Sequence, residues 1–114
     1  PDVAYIAGTA VTAEAAQGLL RERGLTDKVG ILAFYMTPGV YQGIKRGFIE
    51  AAPADSMVIQ GRIAIDQAVR VLEGKDYVKH VGPKIFVVDQ KTIGDVARES
   101  ILPPENFSPV FSVN

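Results

Sequence analysis

With 114 residues, 47% hydrophobic and 22% charged, the chain has the make-up of a single globular domain. A formal net charge of -1 and the lack of a basic run exclude an electrostatic footprint for nucleic acid, and no apolar stretch reaches the roughly 18 to 20 residues of a membrane span. Zero cysteines exclude disulfides, thiolate metal sites and cysteine nucleophiles, and leave the compartment open.

The chain enters an apolar run within two residues of Pro1, so it reads as a segment of a longer protein. Val3 to Ala7, followed by Gly8 and Thr9, predict a buried strand ending in a turn. Ala13, Ala16, Leu19 and Leu20 recur at helical spacing between about Val11 and Arg23, with Glu14 read as part of the first turn and Gly24 as the stop. Val29 to Phe34 are apolar nearly throughout, which predicts a parallel strand covered on both faces. Thr37 before Pro38 supplies a cap oxygen and then a proline at the first helical position, starting a short helix that runs to Gly47.

Phe48 to Ala52 suggest a third strand, broken by Pro53. The longest helix follows from about Ser56 to Glu73, with Asp55 or Ser56 as N-cap, Val58, Ile65, Ala68, Val69 and Leu72 on one stripe, and Gly74 as the stop. Residues 75 to 83 are polar and hold the sole histidine, His80, which is read as a solvated loop side chain. Lys84 to Asp89 predict a fourth strand, Thr92 and Asp95 a capping box for a short helix over Ile93, Val96 and Ala97, and Pro109 to Val113 a last extended piece. The fold class is α/β, built from parallel β-α-β units.

Motifs for a nucleophile elbow, a zinc helix, a phosphate loop or a dinucleotide fingerprint do not occur, so no catalytic residue, metal or cofactor is expected. The turn Gly8-Thr9-Ala10 could present free N–H groups to an anion, which keeps a small phosphate-using enzyme as one reading. Glu14, Glu22 and Asp66 are read as solvated charges on polar helix faces. Asp55 has two readings: an N-cap contributing about 1 kcal/mol, or a carboxylate in a cleft. Tyr35 ends a strand and faces the turn beyond it, which is where ligands of open α/β sheets sit. Phe34 and Tyr41 are read as packing under the helix.

The stretches YIAGTAVTAEAAQGLLRERG, VGILAFYMTPGVYQGIKRGFIEAAPADSM and GRIAIDQAVRVLEGK, in this order over roughly residues 3 to 90, resemble the closing part of type I periplasmic binding proteins. The related lac-repressor effector domains share the pattern. The resemblance implies a fragment of a two-lobed fold: residues 1–47 as βα units of the second lobe, 48–83 as a crossing and a first-lobe helix, and 84–114 as a return strand and tail. It also implies that the long helix exposes an apolar stripe, through which the fragment could self-associate unless a missing lobe covers it.

Sugar-binding members carry an Asn-Asp pair, an Asp and a Gln at three places where this sequence has Thr9-Ala10, Tyr35 and Asp55. An aromatic face beside a carboxylate suits a methylated, electron-poor nitrogen better than sugar hydroxyls. The ending LPPENFSPVFSV is similar to that of periplasmic sensors in trimethylamine N-oxide respiration. That resemblance implies a non-catalytic, periplasmic sensor which binds trimethylamine N-oxide or a related methylamine through Tyr35, Thr9 and Asp55 and signals to a membrane histidine kinase. A sugar-type transport binding protein and the effector domain of a transcription regulator remain the alternatives.

Overall fold

The structure is a computed structural model and describes residues 2–112. In chain order it contains β1 (Tyr5–Gly8), α1 (Ala10–Glu22), β2 (Gly30–Ala33), α2 (Pro38–Lys45), β3 (Ala51–Ala54), α3 (Met57–Leu72), β4 (Phe86–Asp89), a 3₁₀ turn (Ile93–Asp95) and α4 (Arg98–Ile101). Strands β1 to β4 form one sheet in sequence order; β1, β2 and β3 run parallel and β4 returns antiparallel to β3. The β-α-β units expected from the sequence are therefore present.

The helix ends follow from particular residues. Thr37 caps α2 by accepting a hydrogen bond from the Val40 N–H at 3.1 Å, with Pro38 at the first helical position. Helices α1, α2 and α3 each stop at a glycine with positive φ, Gly24, Gly47 and Gly74. In each case the residue after the glycine donates back to the last turn: Leu25 to Leu20, Phe48 to Gly43 and Lys75 to Arg70. A side chain at those glycines would be strained, and the pattern satisfies carbonyls that the helix would leave open.

Register places Gly8, Ala33, Ala52 and Val88 side by side, with the Ile6–Ile31 pair and Ala54 along the same face. This is the core face: Ile31, Ala33, Ala52, Ala54 and Val88 are buried under Ala13 and Leu20 of α1 and Val40 and Ile44 of α2. Right-handed crossovers carried in one direction put both helices on one side of the sheet. Tyr5, Ala7 and Val87 on the other face are exposed, and Leu32 and Pro53 are only partly buried. The expected cover on both faces of β2 is thus corrected: among the described residues, one face is packed.

Strand β3 also differs from expectation. It spans Ala51–Ala54 and contains Pro53, whereas the sequence placed the strand before it. The ladder between β2 and β3 is one bridge, Leu32 with Ala51, so Pro53 lies where β3 is paired on the β4 side only. Proline is tolerated at such edge-like positions. The capping box is corrected too. Thr92 makes no cap bond to the turn over Ile93–Asp95; its hydroxyl is 2.9 Å from Asp89 Oδ1, and the same oxygen accepts from the Lys91 and Thr92 N–H groups. Residues 109–112 form no strand, and Val113 lies outside the described residues.

Helix α3 has no buried residue. At about 100° per residue, Val58, Ile65, Val69 and Leu72 fall on one face, and Ile63, Ala64 and Val71 on another. Its charges, Arg62, Asp66, Arg70 and Glu73, share a narrow stripe, with Arg70 Nε 2.8 Å from Asp66 Oδ2. The second face forms a groove of about 920 Å³ with Tyr77, Val78, Val81 and Ile85. The radius of gyration is 17.6 Å, against about 13 Å for a compact chain of this length, because α3 reaches away from the core.

Candidate functional site

Because β1, β2 and β3 are parallel and adjacent, their carboxyl ends deliver Thr9, Phe34-Tyr35 and Asp55 to one edge of the sheet. With strands about 4.8 Å apart, these positions lie along roughly 10 Å of that edge. The sequence-derived candidates therefore share an edge, and no hydrogen bond joins Thr9, Tyr35 and Asp55 to one another among the described residues.

Thr9 is exposed and caps α1: its hydroxyl accepts from the Thr12 N–H at 3.4 Å and lies 3.1 Å from Thr12 Oγ1. Tyr35 is 46% exposed at the end of β2, and its hydroxyl donates to Met57 Sδ at the start of α3. Asp55 does not cap α3. The N-cap is Ser56, itself without a side-chain cap bond, and the Asp55 backbone carbonyl accepts from Gln60 Nε2 at 2.8 Å. The Asp55 carboxylate makes no hydrogen bond or ion pair among the described residues, which removes the cap from its two readings.

Phe34 was read as a packing residue and is not one: it is 61% exposed, next to Tyr35. Its N–H donates to the Gly8 carbonyl at 2.8 Å, which prolongs the β1–β2 ladder and fixes the backbone from which both rings project. Tyr41 does pack against the core, as read. Met57 was missed altogether, because its link to Tyr35 spans 22 residues and has no local signal.

Glu14 also departs from the sequence reading. It lies outside the first turn of α1, and its Oε1 accepts from the Thr37 hydroxyl at 2.6 Å. It is exposed, as the sequence reading has it, and in addition links α1 to the N-terminus of α2. No cluster of His, Cys, Asp and Glu among the described residues could hold a metal ion.

The geometry is thus a sheet edge presenting two aromatic rings, an unpaired carboxylate and a threonine. The 920 Å³ groove against α3 lies elsewhere and gathers apolar side chains instead of converging polar groups.

No family model matches the chain. An ABC transporter solute binding protein from Bradyrhizobium sp. BTAi1, solved with bound Bis-Tris, is 76% identical over 98% of this chain and 34% of its own, with a TM-score of 0.86. Periplasmic protein TorT of Escherichia coli strain K12 is 38% identical over 97% of this chain and 32% of its own length. The complex of the TorS sensor domain with TorT, solved without ligand and with TMAO, contains a chain with TM-score 0.87 and 38% identity over 96% of this one. The chain is a piece with the periplasmic binding protein fold.

It is similar to both TorT and the Bradyrhizobium protein, and the periplasm is its compartment. The chain spans about a third of the length of these relatives. A D-fucose-bound solute binding protein from Agrobacterium vitis, 18% identical with a TM-score of 0.76, shares the fold.

Proposed function

We propose that this chain supplies one wall of a non-catalytic, periplasmic solute site for a small amine whose nitrogen bears three carbon substituents, with trimethylamine N-oxide as the leading candidate. The observation that carries the proposal is the pair of exposed rings, Phe34 and Tyr35, on the carboxyl edge beside the unpaired Asp55. Ring faces attract electron-poor, methylated nitrogen by about 2 kcal/mol when water is excluded. A nearby carboxylate adds charge complementarity, and Thr9 adds a hydroxyl at the far end of the edge.

The relatives support the same ligand class. TMAO, an amine N-oxide, is present with TorT in one structure, and Bis-Tris, a tertiary amine, is bound in the Bradyrhizobium protein; in both the nitrogen carries three carbon substituents. Sugars are bound in neighbours under 25% identity, where only the fold carries over.

The open groove and outward stripe of α3 support the lobe division implied by the sequence: residues 1–47 build one lobe, 48–83 cross to a second lobe and give it α3, and 84–114 return. The remaining two-thirds of the length of the relatives is ample to cover both faces of α3. Ligand binding between lobes would then shift the population toward a closed form that a membrane sensor histidine kinase reads, as suggested by the TorS–TorT complex. A second reading is delivery to a membrane transporter, favoured by the name of the 76% identical protein.

Calorimetric titration of the full-length protein with trimethylamine N-oxide, Bis-Tris and D-glucose tests the ligand class. Binding of the amines and not the sugar is expected; sugar binding alone would contradict it. Co-purification with the periplasmic domain of a histidine kinase separates sensing from transport.

A further inference from the structure

We infer that Met57 orients the Tyr35 ring, making it a positioning residue that ties the ligand-facing aromatic to the first residue of α3. The inference rests on the proposed reading of Tyr35 as a ligand contact.

The backbone brings the two together. Leu32 pairs with Ala51 in parallel register, so counting on by the same number of residues sets Tyr35 level with Ala54. Between Ala54 and α3 the chain must turn sharply, and Ser56 does so with φ 53 and ψ 53, the one non-glycine residue of positive φ among the described residues. A serine in this region is strained, and such residues persist only where their surroundings hold them. Here Ser56 is 5% exposed, Ala54 before it is fully buried, and the Gln60 side chain holds the Asp55 carbonyl. The turn delivers Met57 to the Tyr35 hydroxyl, which donates to its sulfur and has no other partner among the described residues.

This contact has a consequence for selectivity. A hydroxyl committed to a thioether is not offered to the ligand, so Tyr35 presents its ring face instead of a donor. A ring face suits a trialkylated nitrogen and gives little to a sugar hydroxyl. Phe34, with no hydroxyl, cannot be anchored in the same way. The contact also couples occupancy to α3, since any shift of α3 against the sheet moves the anchor of the ring.

A double-mutant cycle in the full-length protein tests this, using Tyr35→Phe, Met57→Leu and the pair, titrated with trimethylamine N-oxide. Leucine keeps the volume of methionine and removes the sulfur acceptor. Each single change is expected to weaken binding by roughly 3- to 10-fold, and the pair no more than the larger single change, as for two ends of one contact. The melting temperature should stay unchanged. In protein labelled at methionine methyl groups, the Met57 resonance should shift in Tyr35→Phe.

Fully additive losses, or weakening by Tyr35→Phe with Met57→Leu silent, would overturn the inference while leaving Tyr35 as a ligand contact. Unchanged binding in Tyr35→Ala would overturn both.

Discussion

The Thr37 hydroxyl donates to Glu14 Oε1 at 2.6 Å while accepting from the Val40 N–H at 3.1 Å, so one side chain caps α2 and fastens it to α1. The carboxylate sits over the start of α2, where a Cβ on Gly39 would come within 2.5 Å of Glu14 Cδ. A negative charge there meets the positive end of the helix dipole. Thr37→Val removes the cap and the carboxylate contact together and should cost about 1 to 3 kcal/mol, and Glu14→Gln about 0.5 to 1 kcal/mol. Urea unfolding of the full-length protein measures both; wild-type stability in Thr37→Val would contradict the reading.

Two helix glycines should respond oppositely to alanine. A Cβ on Gly43 would lie 2.6 Å from Ile49 Cδ1 and 3.0 Å from Gln17 Oε1, within the packed side of α2. Overpacking of this kind costs about 1 to 3 kcal/mol, more than the roughly 1 kcal/mol that helix propensity returns. Gly18 in α1 has nothing within 4 Å of such an atom, so Gly18→Ala should stabilise by up to about 1 kcal/mol. Thermal melts of the two variants should move in opposite directions.

The exposed stripe of α3 leads to a third expectation. Ile65 is 68% and Leu72 86% exposed, yet both lie on an apolar face too broad for a solvated helix. If the rest of the full-length protein covers that face, Ile65→Asp should cost about 3 kcal/mol or more, whereas Glu73→Gln on the charged stripe should stay within about 0.5 kcal/mol. Equal, negligible effects would mean that the stripe faces water. A melting temperature that rises with protein concentration would instead point to cover by a second copy.

Asp89 carries a pH dependence. Hydrogen bonds from the Thr92 backbone and hydroxyl, and then from the Lys91 N–H, hold its carboxyl below the ordinary value. A lowered folded pKa contributes stability that is complete above the unfolded value, about 3.9, and is lost as pH falls through the folded value. Asp89→Asn should therefore flatten the acid limb of a melting-temperature profile and change its slope little at neutral pH. An unchanged acid limb would contradict this role.

Much of the fold was legible because local chemistry announced it. Gly24, Gly47 and Gly74 mark three helix ends, and Thr37-Pro38 marks a start. Other features depend on what stands beside a residue. Leu32 reads as covered on both sides, but the crossovers put α1 and α2 on the opposite face. Phe34 closes an apolar run, and nothing in the run tells its last buried residue from its first exposed one. Pro53 argues against a strand until the short β2–β3 pairing is known. Of the candidate edge, Tyr35 was singled out by its position after a strand and Asp55 by the change of direction before α3, whereas the proposed role of Met57 depends on the turn at Ser56.

Whether the aromatic edge binds a methylated nitrogen compound is decided by the affinity of the full-length protein for trimethylamine N-oxide, compared between wild type and Tyr35→Ala. Loss of a ring worth about 2 kcal/mol should weaken binding about 30-fold, with the fold intact by circular dichroism. Equal affinity in the two proteins, or no binding of trimethylamine N-oxide by wild type, would mean that this edge is not the wall of such a site.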